Sequence, residues 1–169
     1  MSDILEKILF LQGVDIFSNL TVDELRMIAG ITEREDYSDN EYLFRQGDPG
    51  NYAYIMVSGK VELFFENAGR ELQPFMTVGE GACFGEMALL DGEPRSAGAR
   101  TLTESVISKI SRNDFIQTIT RHPAIALGII AQLSYRLRIT NTKTNTLTNF
   151  VESFRDLYRE SSQILGDDK

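Results

Sequence analysis

Apolar positions along the chain recur at helical spacing near the start, at strand spacing through the middle, and at helical spacing again to the end. The opening MSDILEKILFLQ alternates apolar and charged residues, which predicts an amphipathic helix. It has no basic region followed by a small-residue cleavage site, so it does not read as a signal peptide. In NLTVDELRMIAG, Thr21 and Glu24 form a capping-box pattern and Gly30 is a natural stop. From residue 31 to about 110 the runs shorten. YAYIMVS and KVELFFE are rich in aromatic and β-branched residues, and Ser58-Gly59 between them marks a tight turn. Glycines at 47, 50, 59, 69, 79, 81 and 85 punctuate this region at intervals that suit an antiparallel barrel or jelly roll.

After ESVISKI the helical period returns. Ser111 can cap RNDFIQTITR, and Pro123 suits the first turn of a second, longer helix. The expected class is mainly β with flanking helices: N-terminal helices over residues 1–30, a β-barrel over 31–110 and C-terminal helices over 111–169. No internal repeat or second globular domain is evident.

The last helix carries a seam. Leu133, Leu137, Thr140, Thr144, Leu147, Val151, Phe154, Tyr158, Ser161 and Leu165 are spaced alternately by four and three residues, the pattern of a coiled coil. A helix lying along its own barrel would show a similar stripe, but this one runs too far for the barrel alone to cover. A parallel homodimer through residues 133–165 is expected. Residues 140 to 149, TNTKTNTLTN, hold five threonines and three asparagines. Together these start the segment about 5 kcal/mol behind alanine as a helix. Either a partner chain or a ligand holds the segment helical, or it is a polar loop between two helices.

Composition narrows the function. Hydrophobic residues make up 42% and charged residues 25%, and no apolar run approaches the length of a membrane span. The net charge of −8 opposes a nonspecific nucleic-acid role. The one cysteine, Cys83, excludes an internal disulfide and fits a reducing cytoplasm, where it reads as a small core residue. A single histidine, His122, lies at an apparent helix junction without companions for a metal site. Neither GxSxG nor GxxxxGK[ST] occurs, so no catalysis, metal or cofactor is expected.

One stretch has the parts of an anion site: FGEMALLDGEPRSAGAR, residues 84 to 100. Glycines 79, 81 and 85 permit tight turns and a close backbone approach. Glu86 to Leu90 can form one helical turn whose free N–H groups face an anion. Pro94 fixes the approach to the next strand, and Arg95 offers a fork of donors suited to a phosphate. Ser96 adds a hydroxyl, and the small Ala97 leaves room. Glu86 is suited to accept hydrogen bonds from a sugar hydroxyl, so the combination describes a ribose phosphate. The plainer reading of Arg95 is a surface ion pair with Asp91 or Glu93.

FGEMALL followed by PRSA resembles the phosphate-binding cassette of cyclic nucleotide-binding domains, whose helix–barrel–helix order covers nearly the whole chain. LFRQGDPGNYAYIMVSGKVELF is similar to the family's earlier strands, and SYRLRITNTKTNTL to the dimer helix of its catabolite-activator branch. The resemblance implies that Arg95 binds the exocyclic phosphate oxygens, with Ser96 and backbone N–H groups at Ser96 and Ala88. It further implies that Glu86 and the Gly85 backbone take the ribose 2′-hydroxyl. Met87 and Ala97 complete the cassette, and Thr140, with Asn141 across a dimer, meets the base. The expected ligand is cAMP in preference to cGMP. The seam independently puts Thr140 at the interface.

Activators of that branch continue into a helix-turn-helix, and VESFRDLYRESSQILGDDK carries no such motif. DNA binding by this chain alone is therefore not expected. The reading is a cytoplasmic cyclic nucleotide sensor that signals through its C-terminal helix to an unknown downstream protein. Its rivals are a dimeric interaction module of the same fold without a ligand, a haem or redox sensor of the superfamily, and a metal-dependent barrel enzyme.

Overall fold

The computed structural model describes residues 2–67, 69 and 71–164, and the side chains of 2, 3 and 145–164 lie outside that description. The chain divides into two compact units, Met1–Gln132 and Leu133–Lys169.

In the first unit, α1 (Ser2–Gln12) buries Ile8 and Leu11, a 3-10 turn follows at Asp15–Phe17, and α2 (Val22–Gly30) buries Leu25 and Ile28. Thr21 starts α2 through a complete capping box: its hydroxyl accepts from the Glu24 N–H, and the Glu24 carboxylate accepts from the Thr21 N–H at 2.7 Å.

Eight strands follow: β1 (Thr32–Tyr37), β2 (Tyr42–Phe44), β3 (Tyr52–Ser58), β4 (Val61–Glu66), β5 (Leu72–Val78), β6 (Cys83–Phe84), β7 (Gly98–Thr101) and β8 (Ser105–Ser111). They form two antiparallel four-stranded sheets, β1-β8-β3-β6 and β2-β7-β4-β5. The two sheets face each other over Tyr54, Met56, Val61, Phe84, Ala99 and Ile107, a jelly-roll core.

The tight turn expected at Ser58-Gly59 is present, a short link between the end of β3 and the start of β4. β3 and β4 do not form a hairpin, because they belong to different sheets and their link carries the chain from one sheet to the other. Gly59 suits that corner. Its φ is +93°, and a Cβ there would stand 2.2 Å from the Ser105 Oγ.

Between β6 and β7 lies α3 (Glu86–Asp91), and after β8 comes α4 (Arg112–Arg121). Ser111 caps α4 by accepting from the Asp114 N–H at 3.1 Å. His122 ends α4, and α5 runs from Pro123 to Ile164. The first part of α5 belongs to the barrel unit, where Ile125 and Ile129 are buried. Gln132 is buried there too; its Nε2 donates to Asp15 Oδ1 at 2.7 Å, and its Oε1 accepts from Asn19 Nδ2 at 3.3 Å.

The second unit is the remainder of α5. Residues 140–149 are helical rather than a loop. Their hydroxyls turn back on the helix: Thr142 Oγ1 donates to Arg138 O and Thr144 Oγ1 to Thr140 O, both at 3.0 Å. Threonine can satisfy its hydroxyl this way without leaving helical geometry. The side chains of Leu147, Val151, Phe154, Tyr158 and Ser161, and all of Leu165, lie outside the described residues.

Candidate functional site

The segment from β6 to β7 folds as a compact cassette. Gly85 is the N-cap of α3 with φ +72°, a left-handed conformation that side chains avoid. A Cβ on Gly85 would also fall 2.5 Å from Arg95 Nη1. α3 lies close on the β2–β3 link, where a Cβ on Gly50 would stand 2.1 Å from the Ala88 Cβ. The short helix therefore needs glycine at two places, at its own start and beneath it.

Arg95 is held along its whole length. Its backbone N–H donates to Asp48 O, and its carbonyl accepts from the Gly47 N–H, both at 2.9 Å. Its Nη1 donates to Gly85 O at 2.9 Å and its Nη2 to Tyr52 O at 2.6 Å. The guanidinium carbon stands 4.1 Å from the centre of the Phe44 ring and 5.5 Å from that of Tyr54. The residue is only 4% exposed. This overturns the plainer reading of Arg95 as half of a surface ion pair: Arg95 points into the barrel, and Asp91 instead accepts from the Glu93 N–H at 2.9 Å.

The electrostatics follow from that burial. Desolvation pushes the Arg95 guanidinium down from its ordinary value, opposed by Tyr54, Asp48 and Glu86. An arginine remains charged at any physiological pH. The downward direction reflects burial of the cation, only partly offset by these neighbours. The Nε–H is buried and has no acceptor. A buried donor left unmet costs about 1–3 kcal/mol, and the Nε–H groups of Arg100 and Arg112 are buried and unmet as well.

The other expected residues fall into two groups. Gly85, Glu86, Met87 and Ala88 lie at the start of α3, with Ser96 and Ala97 beside Arg95. Met87 and Ser96 are exposed, Ala88 is buried, and Gly85, Glu86 and Ala97 are half-buried. Glu86 also lines a narrow apolar seam with Leu89 and Leu90 of α3, Phe17, Phe115 and Ile129. That seam joins the cassette to the 3-10 turn, α4 and the first part of α5. Thr140 and Asn141 belong to the second unit and are exposed there.

Sequence reading missed Phe44, Tyr52, Tyr54 and Asp48. Their contacts to Arg95 cross 41 to 51 residues of chain, and only the strand pairing brings them together. Among the described residues, no group of three or more His, Cys, Asp or Glu is placed to hold a metal ion. No described helix is long and apolar enough to cross a membrane.

A jelly roll flanked by helices carries an arginine-bearing cassette between β6 and β7. Residues 34–122 match the cyclic nucleotide-binding domain family, and the chain belongs to that family. It is 34% identical over 128 residues to the cyclic AMP receptor protein of Thermus thermophilus, covering 76% of this chain and 59% of that protein. A cAMP-dependent protein kinase regulatory subunit of Emericella nidulans is 36% identical over 63% of this chain and 25% of its own length. The crystal structure of Thermus thermophilus catabolite activator protein superposes with a TM-score of 0.68 at 32% identity, covering 79% of this chain and 63% of that one. The chain thus spans less than two thirds of these relatives.

Proposed function

We propose that this chain is a cyclic nucleotide sensor that works by binding, without turnover, and that cAMP is its preferred ligand over cGMP. The observation that carries the reading is Arg95: buried in the barrel, fixed by two backbone carbonyls, and left with an unmet Nε–H. The phosphate would supply the missing acceptor. Because that N–H is out of contact with solvent, the cassette must shift to admit it, which makes binding a conformational event. Ser96 and the N–H groups of Ser96 and Ala88 would add donors. Glu86 and the Gly85 backbone would hold the ribose 2′-hydroxyl, with Met87 and Ala97 flanking the ligand.

The preference for cAMP rests on the names of the two similar proteins above and on Thr140 and Asn141, proposed to meet the base. The protein is proposed to pair as a homodimer along residues 133–165. Leu137, on the seam, is 61% exposed, and Ile130, one step before the seam begins, is 57% exposed; a second copy would cover such apolar surface. A shift of α3 would reach α5 through the seam of Leu89, Phe115 and Ile129, and α5 would present the signal to a cytoplasmic protein partner. A ligand moves such an equilibrium only by its difference in affinity between the two states. The net charge of −8 supports a protein partner over direct contact with DNA. Calorimetric titration of the purified chain with cAMP and then cGMP tests the reading. Binding of either at micromolar concentration or below supports it, and heat from neither sinks it.

A further inference from the structure

We propose that Phe44 is the positioning residue of the anion site: its ring sets the plane in which the Arg95 guanidinium meets the ligand. The inference rests on the nucleotide reading above and names a residue outside the cassette as part of the site.

The Arg95 guanidinium carbon lies over the face of the Phe44 ring. The guanidinium carbon stands 4.1 Å from the Phe44 centroid, which is stacking distance, while Tyr54 is further off at 5.5 Å. Phe44 is itself braced: its ring lies 5.4 Å from Tyr54 and 6.3 Å from Phe84, and those two stack on each other at 5.5 Å. β2 delivers it, because β2 pairs with β7, the strand that follows Arg95.

Two kinds of contact divide the work. The carbonyls of Gly85 and Tyr52 accept from Nη1 and Nη2 and stop the guanidinium rotating within its own plane. Neither stops it from tilting. A ring face does, because tilting forfeits contact over the whole of the ion. The plane thus fixed also fixes the direction of the unmet Nε–H. A lysine at this position has no plane to align, so the device is specific to arginine.

The test is a double-mutant cycle read by calorimetry with cAMP or cGMP, whichever the native chain binds. Phe44→Leu keeps the apolar bulk and removes the ring, and is expected to weaken binding about tenfold. Phe44→Tyr keeps the ring and is expected to stay within about threefold of native. In an Arg95→Ala background, Phe44→Leu is expected to change affinity by less than about twofold, because the group it positions is gone. An equal loss in both backgrounds would overturn the proposal, since the ring would then act on the ligand or on the fold at large. Native-like binding by Phe44→Leu would overturn it and leave the nucleotide reading standing. No binding by the native chain would instead remove the reading beneath it, and the proposal with it.

A ligand-independent measurement covers the case in which Phe44→Leu does not fold. The Arg95 Nε–H proton resonance of the native protein is expected well upfield of its free-arginine position, shielded by the ring, and to remain there in Phe44→Tyr. An unshifted resonance would overturn the proposal.

Discussion

Arg95 Nη1 donates to the carbonyl oxygen of Gly85 at 2.9 Å, so the two ends of the cassette close on each other across ten residues of chain. The arginine that would hold the phosphate is thereby tied to the glycine that starts α3. A ligand that drew on Arg95 would then also move Gly85.

Gly85→Ala tests that tie. The new Cβ would fall 2.5 Å from Arg95 Nη1, in a backbone conformation of φ +72°. Strain of this kind costs about 1–3 kcal/mol. The melting temperature is expected to fall, and nucleotide affinity is expected to drop at least about tenfold, because the guanidinium must leave its seat. Thermal melting with and without nucleotide reads both effects. An unchanged affinity in a folded variant would break the link between Gly85 and the site.

A second prediction concerns pH. A hydrogen bond from Lys109 at 2.8 Å is the main cause that holds the Glu35 carboxyl below its ordinary 4.5, and the same bond holds Lys109 above its ordinary 10.5. A carboxyl depressed on folding contributes stability that is present above 4.5 and is lost as pH falls through its lower folded value. A lysine raised on folding contributes stability that is present below 10.5 and is lost as pH rises through its higher folded value. Glu35 is 45% exposed, so solvent screening keeps each effect under about 1 kcal/mol. Urea denaturation is expected to show Lys109→Met losing less stability than native between neutral pH and about pH 3. Parallel losses in the two proteins would contradict the pairing.

Much of this fold is local and therefore legible. The Thr21–Glu24 capping box, the Ser111 cap, the Pro123 start and the helical turn after Gly85 each depend on residues within a few positions of one another. What escaped the sequence is what strand pairing decides. Ser58-Gly59 reads as a tight turn, but that the flanking strands pair with β8 and β7 and not with each other is decided by long-range pairing. Arg95 reads equally well as a surface cation until β2 and β3 bring Phe44, Tyr52 and Tyr54 around it. The Thr/Asn run has poor helix propensity and is helical all the same, with the Thr142 and Thr144 hydroxyls bonded to carbonyls one turn back.

The proposed signal predicts a change in α5. Backbone hydrogen exchange across residues 140–158 is expected to slow when nucleotide is bound, because the base would dock near Thr140 and Asn141 and steady the weakest stretch of the helix. Equal protection with and without nucleotide would contradict signalling through this helix, while leaving nucleotide binding untouched.

The central claim is that Arg95 receives the phosphate, and comparing Arg95→Ala with the native chain in a cAMP titration tests it most directly. Loss of charge-assisted bonds worth about 1.5–3 kcal/mol predicts an affinity ten- to about a hundredfold weaker, with the variant still folded by circular dichroism. Equal affinities would contradict the claim and place the ligand elsewhere.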